Sequence, residues 1–332
     1  MKLTLQKSSV NSKSKIQITG SKSESNRLLL LQALYSDIKI KNLSNSDDSN
    51  VMQQALQTST NVIDVHHAGT AMRFLTAFFA TQNGREVTLT GSSRMKERPI
   101  QVLVEALNSL GSDITYLETT GCPPLKIKGR VLTKNKVTLK ANVSSQYISA
   151  LLLIAPKLEN GLELTLEGEI TSVPYIKMTL DLLNQIGVET VFDDDFIKVK
   201  PLNKELKAHS LIVESDWSSA SYYYSIVALS EIGTEIILSA YKESSLQGDS
   251  ALVNIYKQFG VETTFLNNTI TLKKKSKNAN AIKLDLNNSP DIAQTIAVTC
   301  LGLGIKCHLT GLQTLKIKET DRLLALKNEI EK

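Results

Sequence analysis

The sequence predicts a mixed α/β (α+β) protein of two domains. Three observations carry that expectation: its length, a recurring helix–glycine–strand segment, and a second set of helices that open on serine or aspartate. The chain has 332 residues, 42% of them hydrophobic. That length exceeds what one hydrophobic core usually serves, since single cores stop growing near roughly 250–300 residues.

The recurring segment appears three times. Leu107-Asn108-Ser109-Leu110-Gly111-Ser112-Asp113-Ile114 aligns with Leu183-Asn184-Gln185-Ile186-Gly187-Val188-Glu189-Thr190. A third copy runs Tyr256-Lys257-Gln258-Phe259-Gly260-Val261-Glu262-Thr263. Each reads as an amphipathic helix closed by a glycine, which accepts the left-handed conformation that ends a last turn. Alternating residues then predict a strand, over Phe192 to Lys200 and over Thr263 to Lys273. The glycines at 111, 187 and 260 stand 76 and then 73 positions apart, so one supersecondary unit of about that length repeats.

Helices of a second kind lie between these copies. Ser21-Lys22-Ser23 precedes Asn26 to Leu34, Ala68-Gly69-Thr70 precedes Ala71 to Ala80, and Ser144-Ser145-Gln146 opens a helix reaching Ala155. Ser215-Asp216-Trp217-Ser218 opens one ending near Gly233, and Ser289-Pro290-Asp291 opens another. Serine and aspartate cap helices because their side-chain oxygens accept the unpaired amides of the first turn. Capping alone accounts for these serines. Asp216 reads either as such a cap, at a return between domains, or as a substrate-proximal group. The neighbouring cations Lys22, Arg27, Arg73, Arg94 and Arg98 need another reason. A helix start already favours anions through free amides and the aligned dipole, so cations there imply a bound polyanion. A lone arginine is ordinary surface charge; the group predicts phosphate and carboxylate binding.

Composition narrows the classes. The net charge is +5, from 38 basic and 33 acidic residues. So mild an excess suits small anions better than nucleic acid, which needs a concentrated basic face with stacking aromatics. Lys273, Lys274, Lys275 and Lys277 read as a solvated strand end or loop. Cys122, Cys300 and Cys307 fit neither zinc spacing nor an even disulfide framework, which points to a reducing cytoplasm. His66, His67, His209 and His308 are scattered, so no metal site and no cofactor are expected. Residues 1–20 lack the apolar stretch of a signal peptide, and no segment is long enough to span a membrane. Gly302-Leu303-Gly304 is a lone GxG without the third glycine of a dinucleotide fingerprint.

At this point the motifs resemble those of the EPSP (5-enolpyruvylshikimate-3-phosphate) synthases, in the enolpyruvyl transferase family. Gly20-Ser21-Lys22-Ser23-Glu24-Ser25-Asn26-Arg27 is similar to their opening signature. His67-Ala68-Gly69-Thr70-Ala71-Met72-Arg73 resembles their phosphoenolpyruvate loop, and Arg94-Met95-Lys96-Glu97-Arg98-Pro99-Ile100 the arginine segment after it. Ser144-Ser145-Gln146-Tyr147, Ser172-Val173-Pro174-Tyr175 and Asp216-Trp217-Ser218-Ser219-Ala220-Ser221 continue the series. Pro290-Asp291 and Lys318-Glu319-Thr320-Asp321-Arg322 complete it. Each element is weak alone; together, in the family's order from about Lys15 onward, they are specific.

The resemblance implies a two-domain inside-out barrel of repeated βαβαββ units, the last incomplete. Residues 1–20 and 214–332 are expected to form the lower domain and residues 21–213 the upper one, with three units. It implies that substrates bind between the domains, which close to exclude water. It also implies a monomeric cytoplasmic enzyme acting on shikimate 3-phosphate and phosphoenolpyruvate, with no nucleic-acid or membrane partner. Lys22, Ser23, Arg27, Ser144, Ser145, Gln146, Ser172, Tyr175, Asp291 and Lys318 match the shikimate 3-phosphate contacts. Lys22, Gly69, Arg98, Gln146 and Arg322 match the phosphoenolpyruvate contacts, with Thr70 and Arg73 shaping that loop. Asp291, Glu319 and Lys22 match the catalytic groups, Asp291 at the hydroxyl proton and Glu319 near the enol carbon. In a helix beginning near Glu319, Arg322 falls about one turn beyond Lys318, so both cations face one side. On residues alone, Glu319 and Arg322 read as a surface ion pair of small value.

Three departures from the family pattern stand out. The chain stops at Lys332, inside the helix after Lys318–Arg322, where the family continues with a strand–helix unit, an Asp-His-Arg segment and a late lysine. On that ground the chain is expected to bind shikimate 3-phosphate yet turn over poorly or not at all. The stretch from Asn42 to His67 is shorter than usual, so the first repeat lacks a strand or has a compressed loop. Phe74 stands where many members have proline, beside the Gly69 loop. Two rivals remain: the sister transferase acting on UDP-N-acetylglucosamine, which uses a loop cysteine that no thiol here matches, and a module that only binds.

Overall fold

The computed structural model describes residues 4, 6, 9–11, 13–140, 144–168, 170, 173–202, 209–278, 280–318 and 320–332. The elements begin with β1 (Ser14–Gln17), α1 (Lys22–Leu34), β2 (Ile38–Lys41), α2 (Asp47–Gln57), β3 (Val62–Asp64) and α3 (Gly69–Ala80). Next come β4 (Glu86–Thr90), the one-turn α4 (Ser93–Lys96), α5 (Gln101–Leu110), β5 (Asp113–Tyr116), β6 (Leu125–Lys128) and β7 (Lys136–Lys140). Then follow α6 (Ser145–Ile154), β8 (Leu162–Glu167), α7 (Val173–Gln185), β9 (Thr190–Asp193), β10 (Phe196–Val199) and β11 (His209–Ile212). The chain continues with α8 (Trp217–Leu229), β12 (Glu235–Ser239), α9 (Leu252–Lys257), β13 (Val261–Leu266) and β14 (Thr269–Lys274). It closes with β15 (Ile282–Asp285), α10 (Ala293–Leu303), β16 (Cys307–Thr310) and α11 (Arg322–Ile330).

Contacts divide the chain into two compact units. The first holds Met1–Ile18, Glu214–Leu312 and Leu326–Lys332; the second holds Thr19–Val213 and Gln313–Ala325. In the second unit, two sheets share one plan, with strand orders β3-β4-β6-β5 and β7-β8-β10-β9. In each, the first two strands are parallel around a helix and the last two form an antiparallel hairpin. That is the βαβαββ pattern twice. A third sheet pairs β11 with β2 in parallel, and among the described residues it stops at two strands. The segment after β2 holds only α2 before β3 begins, which is where the sequence was short.

Burial explains the composition of these helices. All twelve residues of α3 are buried, as are nine of the ten in α6 and the Leu28–Leu31 run of α1. Helices surrounded by protein read as apolar all round, not as striped. Sheet strands alternate instead, with Val87, Leu89, Leu125, Ile127, Val137, Leu139, Ile197 and Val199 turned to the core. In the first unit, β1 runs parallel to β12 in the order β1-β12-β14-β13, and β15 lies parallel to β16. The helices α8 and α10 pack closely there, a Cβ at Gly302 lying 2.7 Å from Leu229 Cδ2.

The three repeated glycines do adopt positive φ, at 110°, 86° and 76° for Gly111, Gly187 and Gly260. Three expectations need correction. Phe192–Lys200 and Thr263–Lys273 are not single strands. Each belongs to a hairpin that reverses at Asp194 (φ 48°) or at Asn267 and Asn268 (φ 50° and 56°). Asn and Asp tolerate that region better than other side-chain-bearing residues, so the turn signal was present in the sequence. Lys274 is not solvated: it is 2% exposed, and its ammonium donates to the carbonyls of Ala228 (2.6 Å) and Phe259 (2.8 Å). The last helix starts at Arg322, not near residue 319. The Asp321 carboxylate accepts from the amides of Leu323 and Leu324, both at 3.1 Å, which fixes the start there and leaves Lys318 outside the helix.

Candidate active site

Of the caps expected from sequence, those at Ser21, Ser144 and Asp216 form, while Ser289 makes no side-chain cap. Ser21 Oγ accepts from Glu24 N at 3.5 Å, Ser144 Oγ from Gln146 N at 3.3 Å, and Asp216 Oδ1 from Ser219 N at 2.6 Å. Asp216 therefore closes the start of α8, and its carbonyl accepts from the Tyr241 hydroxyl. The start of α3 differs from these: Ala68 occupies the cap position and supplies no side-chain acceptor.

Two cation clusters surround the helix starts of the second unit. The first centres on Arg27, 2% exposed in the second turn of α1. Its Nε donates to Thr179 Oγ1 at 2.7 Å, Nη1 to the Ser23 carbonyl at 2.7 Å, and Nη2 to Ser149 Oγ at 2.9 Å and the Tyr175 carbonyl at 3.3 Å. The rings of Phe74 and Tyr175 lie 5.4 and 5.9 Å from its Cζ. Desolvation pulls this guanidinium down to about 10, opposed by Tyr175 and Glu24, and it stays cationic at neutral pH. One side chain thus ties α1 to α3, α6 and α7. Lys22 and Ser23, both half-buried, open the same helix, and half-buried Tyr175 opens α7.

The second cluster lies at the start of α3. A Cβ at Gly69 would stand 2.6 Å from Arg98 Nη1 and 2.8 Å from Nη2, so the guanidinium rests directly on this backbone. Only glycine permits that approach. Arg73, also buried, donates to the Gly69 carbonyl at 3.2 Å and to the Pro99 carbonyl at 3.0 Å, bracing both sides of the contact. Gln146 Nε2 donates to Thr70 Oγ1 at 3.3 Å, which joins Ser144, Ser145 and Gln146 to this loop. Two guanidinium groups thus stand beside the amides of a helix start that has no side-chain cap, and groups of this kind suit an anion.

Asp291, half-buried, lies in the turn Pro290–Ile292 that leads into α10 of the first unit. Lys318 and Arg322, also half-buried, belong to the Gln313–Ala325 segment that clusters with the second unit. Ser172 and Glu319 lie outside the described residues. The sequence reading missed Ser149 and Thr179, the partners of Arg27. Each is a small polar residue in an apolar helix, four places after Ser145 or Tyr175, so helical spacing alone aligned them. Among the described residues, no group of three or more His, Cys, Asp or Glu is placed to hold a metal, and no helix is long and apolar enough to cross a membrane.

The family model for EPSP synthase (3-phosphoshikimate 1-carboxyvinyltransferase) matches residues 53–332. The chain belongs to the EPSP synthase family. A 3-phosphoshikimate 1-carboxyvinyltransferase of Bacteroides fragilis strain YCH46 is 48% identical over 322 residues, covering 96% of this chain and 78% of the relative. One from Colwellia psychrerythraea is 38% identical over 347 residues, covering 96% and 80%. Among solved structures, an EPSP synthase from Acinetobacter baumannii aligns with a TM-score of 0.74 at 19% identity, over 96% of this chain and 77% of that one. That likeness is one of fold: the alternating helices and strands described above are those of an EPSP synthase.

Proposed function

We propose that this chain transfers the enolpyruvyl group of phosphoenolpyruvate to the 5-hydroxyl of shikimate 3-phosphate. The observation that carries the reading is the Arg98 guanidinium resting on Gly69 at the uncapped start of α3, with Arg73 behind it. A carboxylate or phosphate placed there meets forked donors and free amides together. We assign that place to phosphoenolpyruvate, with Gln146, Lys22 and Arg322 as further contacts. Shikimate 3-phosphate falls to the neighbouring turns: Ser144, Ser145 and Ser172 at its phosphate, Lys22, Ser23 and Arg27 at its carboxylate and hydroxyls, Gln146 and Tyr175 along its ring. Asp291 and Lys318 complete that set. We take the family's two domains as residues 1–20 with 214–332 and residues 21–213, a division the two units follow except that Thr19, Gly20 and Gln313–Ala325 group with the second, and the enzyme as cytoplasmic.

The chemistry is addition followed by elimination. The hydroxyl gives up its proton, its oxygen bonds to C2 of phosphoenolpyruvate, and C3 gains a proton. The tetrahedral adduct then loses a proton from C3 while the C2–O bond to phosphate breaks. Asp291 is assigned the hydroxyl proton, and Glu319 with Lys22 the protons at the enol carbon. Each role needs hydrogen-bond reach to the atom served. The Arg27 network serves a second purpose in this scheme: it fixes the substrate-facing turns of α1, α6 and α7 before any ligand arrives, which lowers the ordering cost of binding.

Phosphate release from phosphoenolpyruvate, measured with each acceptor in turn, tests the assignment. Release with shikimate 3-phosphate and not with UDP-N-acetylglucosamine is the expected result. Release with the nucleotide sugar identifies the sister activity. Tight binding of shikimate 3-phosphate with no release from either acceptor reduces the chain to a binding module.

A further inference from the structure

Two consecutive residues of α6 reach across to the two halves of the phosphoenolpyruvate place. Gln146 holds Thr70, the residue after Gly69. Tyr147, 6% exposed, donates its hydroxyl to the carbonyl of Pro99, the residue after Arg98, at 2.5 Å. That same carbonyl accepts from Arg73 Nη2 at 3.0 Å, and Arg73 also holds the Gly69 carbonyl. The Pro99 carbonyl is thus a node fixed from α3 by one donor and from α6 by another. The segment it anchors carries Arg98, whose guanidinium must stay on Gly69.

We propose that Tyr147 is a positioning residue for phosphoenolpyruvate, acting through the Pro99 carbonyl to hold Arg98 at the start of α3. The inference rests on the function proposed above. A second physical consequence follows from chain continuity. Tyr147 adjoins Gln146 and lies three residues beyond Ser144, so the turn that meets shikimate 3-phosphate is braced against the segment that meets the other substrate. The tyrosine touches neither substrate; it sets the spacing between their sites. Phenylalanine in its place keeps the ring and loses only the hydroxyl, while Arg73 still holds the carbonyl.

The test is Tyr147→Phe, with steady-state phosphate release measured against each substrate separately. The expected result is a rise of about fivefold in KM for phosphoenolpyruvate, the size of one neutral hydrogen bond. The KM for shikimate 3-phosphate and kcat stay within twofold, and the thermal midpoint stays close to wild type. A purely structural hydroxyl lowers the midpoint and leaves both KM values alone, and that outcome overturns the proposal. So does an equal rise in both KM values. A double-mutant cycle with Arg73→Lys sharpens the point, because two donors to one carbonyl give coupled effects and independent ones give additive effects. Wild-type release with shikimate 3-phosphate decides the functional reading on its own, so an unchanged KM in the variant counts against Tyr147 alone. Absence of release from the wild-type chain removes both.

Discussion

The two units bury charge in opposite ways. In the second unit, Arg27, Arg73 and Arg98 are buried in or beside the first two turns of helices, where the dipole repels a cation. In the first, Lys274 is buried at helix ends of the other polarity, its ammonium on the carbonyl of Ala228 near the end of α8 and on that of Phe259 just past α9. There the dipole favours a cation, by about 0.3–1 kcal/mol at an exposed site and more when buried. Glu214, also in the first unit, accepts from the indole of Trp217, the amide of Lys242 and the hydroxyl of Ser245. Those charges are satisfied by the fold, as Arg27 is by Thr179, Ser23, Ser149 and Tyr175 and Arg73 by the carbonyls of Gly69 and Pro99. The lesson is that burial alone does not mark a site, and that the two units differ in the sign of the buried charge against the helix end it meets. On the function proposed above, the arginines held at helix starts await a bound anion.

The largest effect that separates the two kinds of charge is expected from Arg98→Ala. Removing a forked donor aimed at a substrate anion lowers phosphate release by about 100-fold, the scale of one lost charge-stabilising donor. The thermal midpoint stays near wild type, because the cation lost was one that the helix start opposes. A large fall in stability together with a small fall in rate reverses the comparison, making Arg98 structural.

Lys274→Met should do the opposite. It strands two buried carbonyls, each costing roughly 1–3 kcal/mol, so the urea midpoint falls while kcat and both KM values hold. A smaller effect concerns pH. Burial, with Lys277 adding to it, lowers the Lys274 ammonium from its ordinary value. Between the lowered value and the ordinary one, the unfolded chain holds the proton more tightly, so this group's contribution to stability rises with pH across that window. Below the window both states are protonated and the slope vanishes. Denaturant titrations of wild type and Lys274→Met across alkaline pH isolate the difference; identical slopes leave Lys274 without linkage.

Much of the site was legible because the sequence carries both of its signals in short windows. Ser21, Ser144 and Asp216 announced their caps by residue type, and Gly111, Gly187 and Gly260 announced their left-handed turns. The gathering of Gly69 with Arg98 followed only from resemblance, since 29 residues separate them and nothing local says that they touch. Three features were hidden for a common reason. The burial of Lys274, the partnership of Arg27 with Ser149 and Thr179, and the Tyr147 bond to Pro99 all depend on packing between distant segments. Local reading assigned Lys274 to solvent because lysine beside lysine is usually exposed. The two hairpins were a different failure. Asp194, Asn267 and Asn268 were visible as turn formers, and the period-two pattern continued across them and masked the reversal.

On the proposed function, the buried arginines of the second unit serve two different anions. Thermal unfolding of wild type and Arg98→Ala, each with shikimate 3-phosphate alone and then with phosphoenolpyruvate added, tests it most directly, because a ligand raises the midpoint only of a protein that binds it. Shikimate 3-phosphate is expected to raise both midpoints, and phosphoenolpyruvate to raise that of the wild type further and leave the variant where it was. An equal second rise in both proteins would contradict the claim, since Arg98 would then not hold phosphoenolpyruvate.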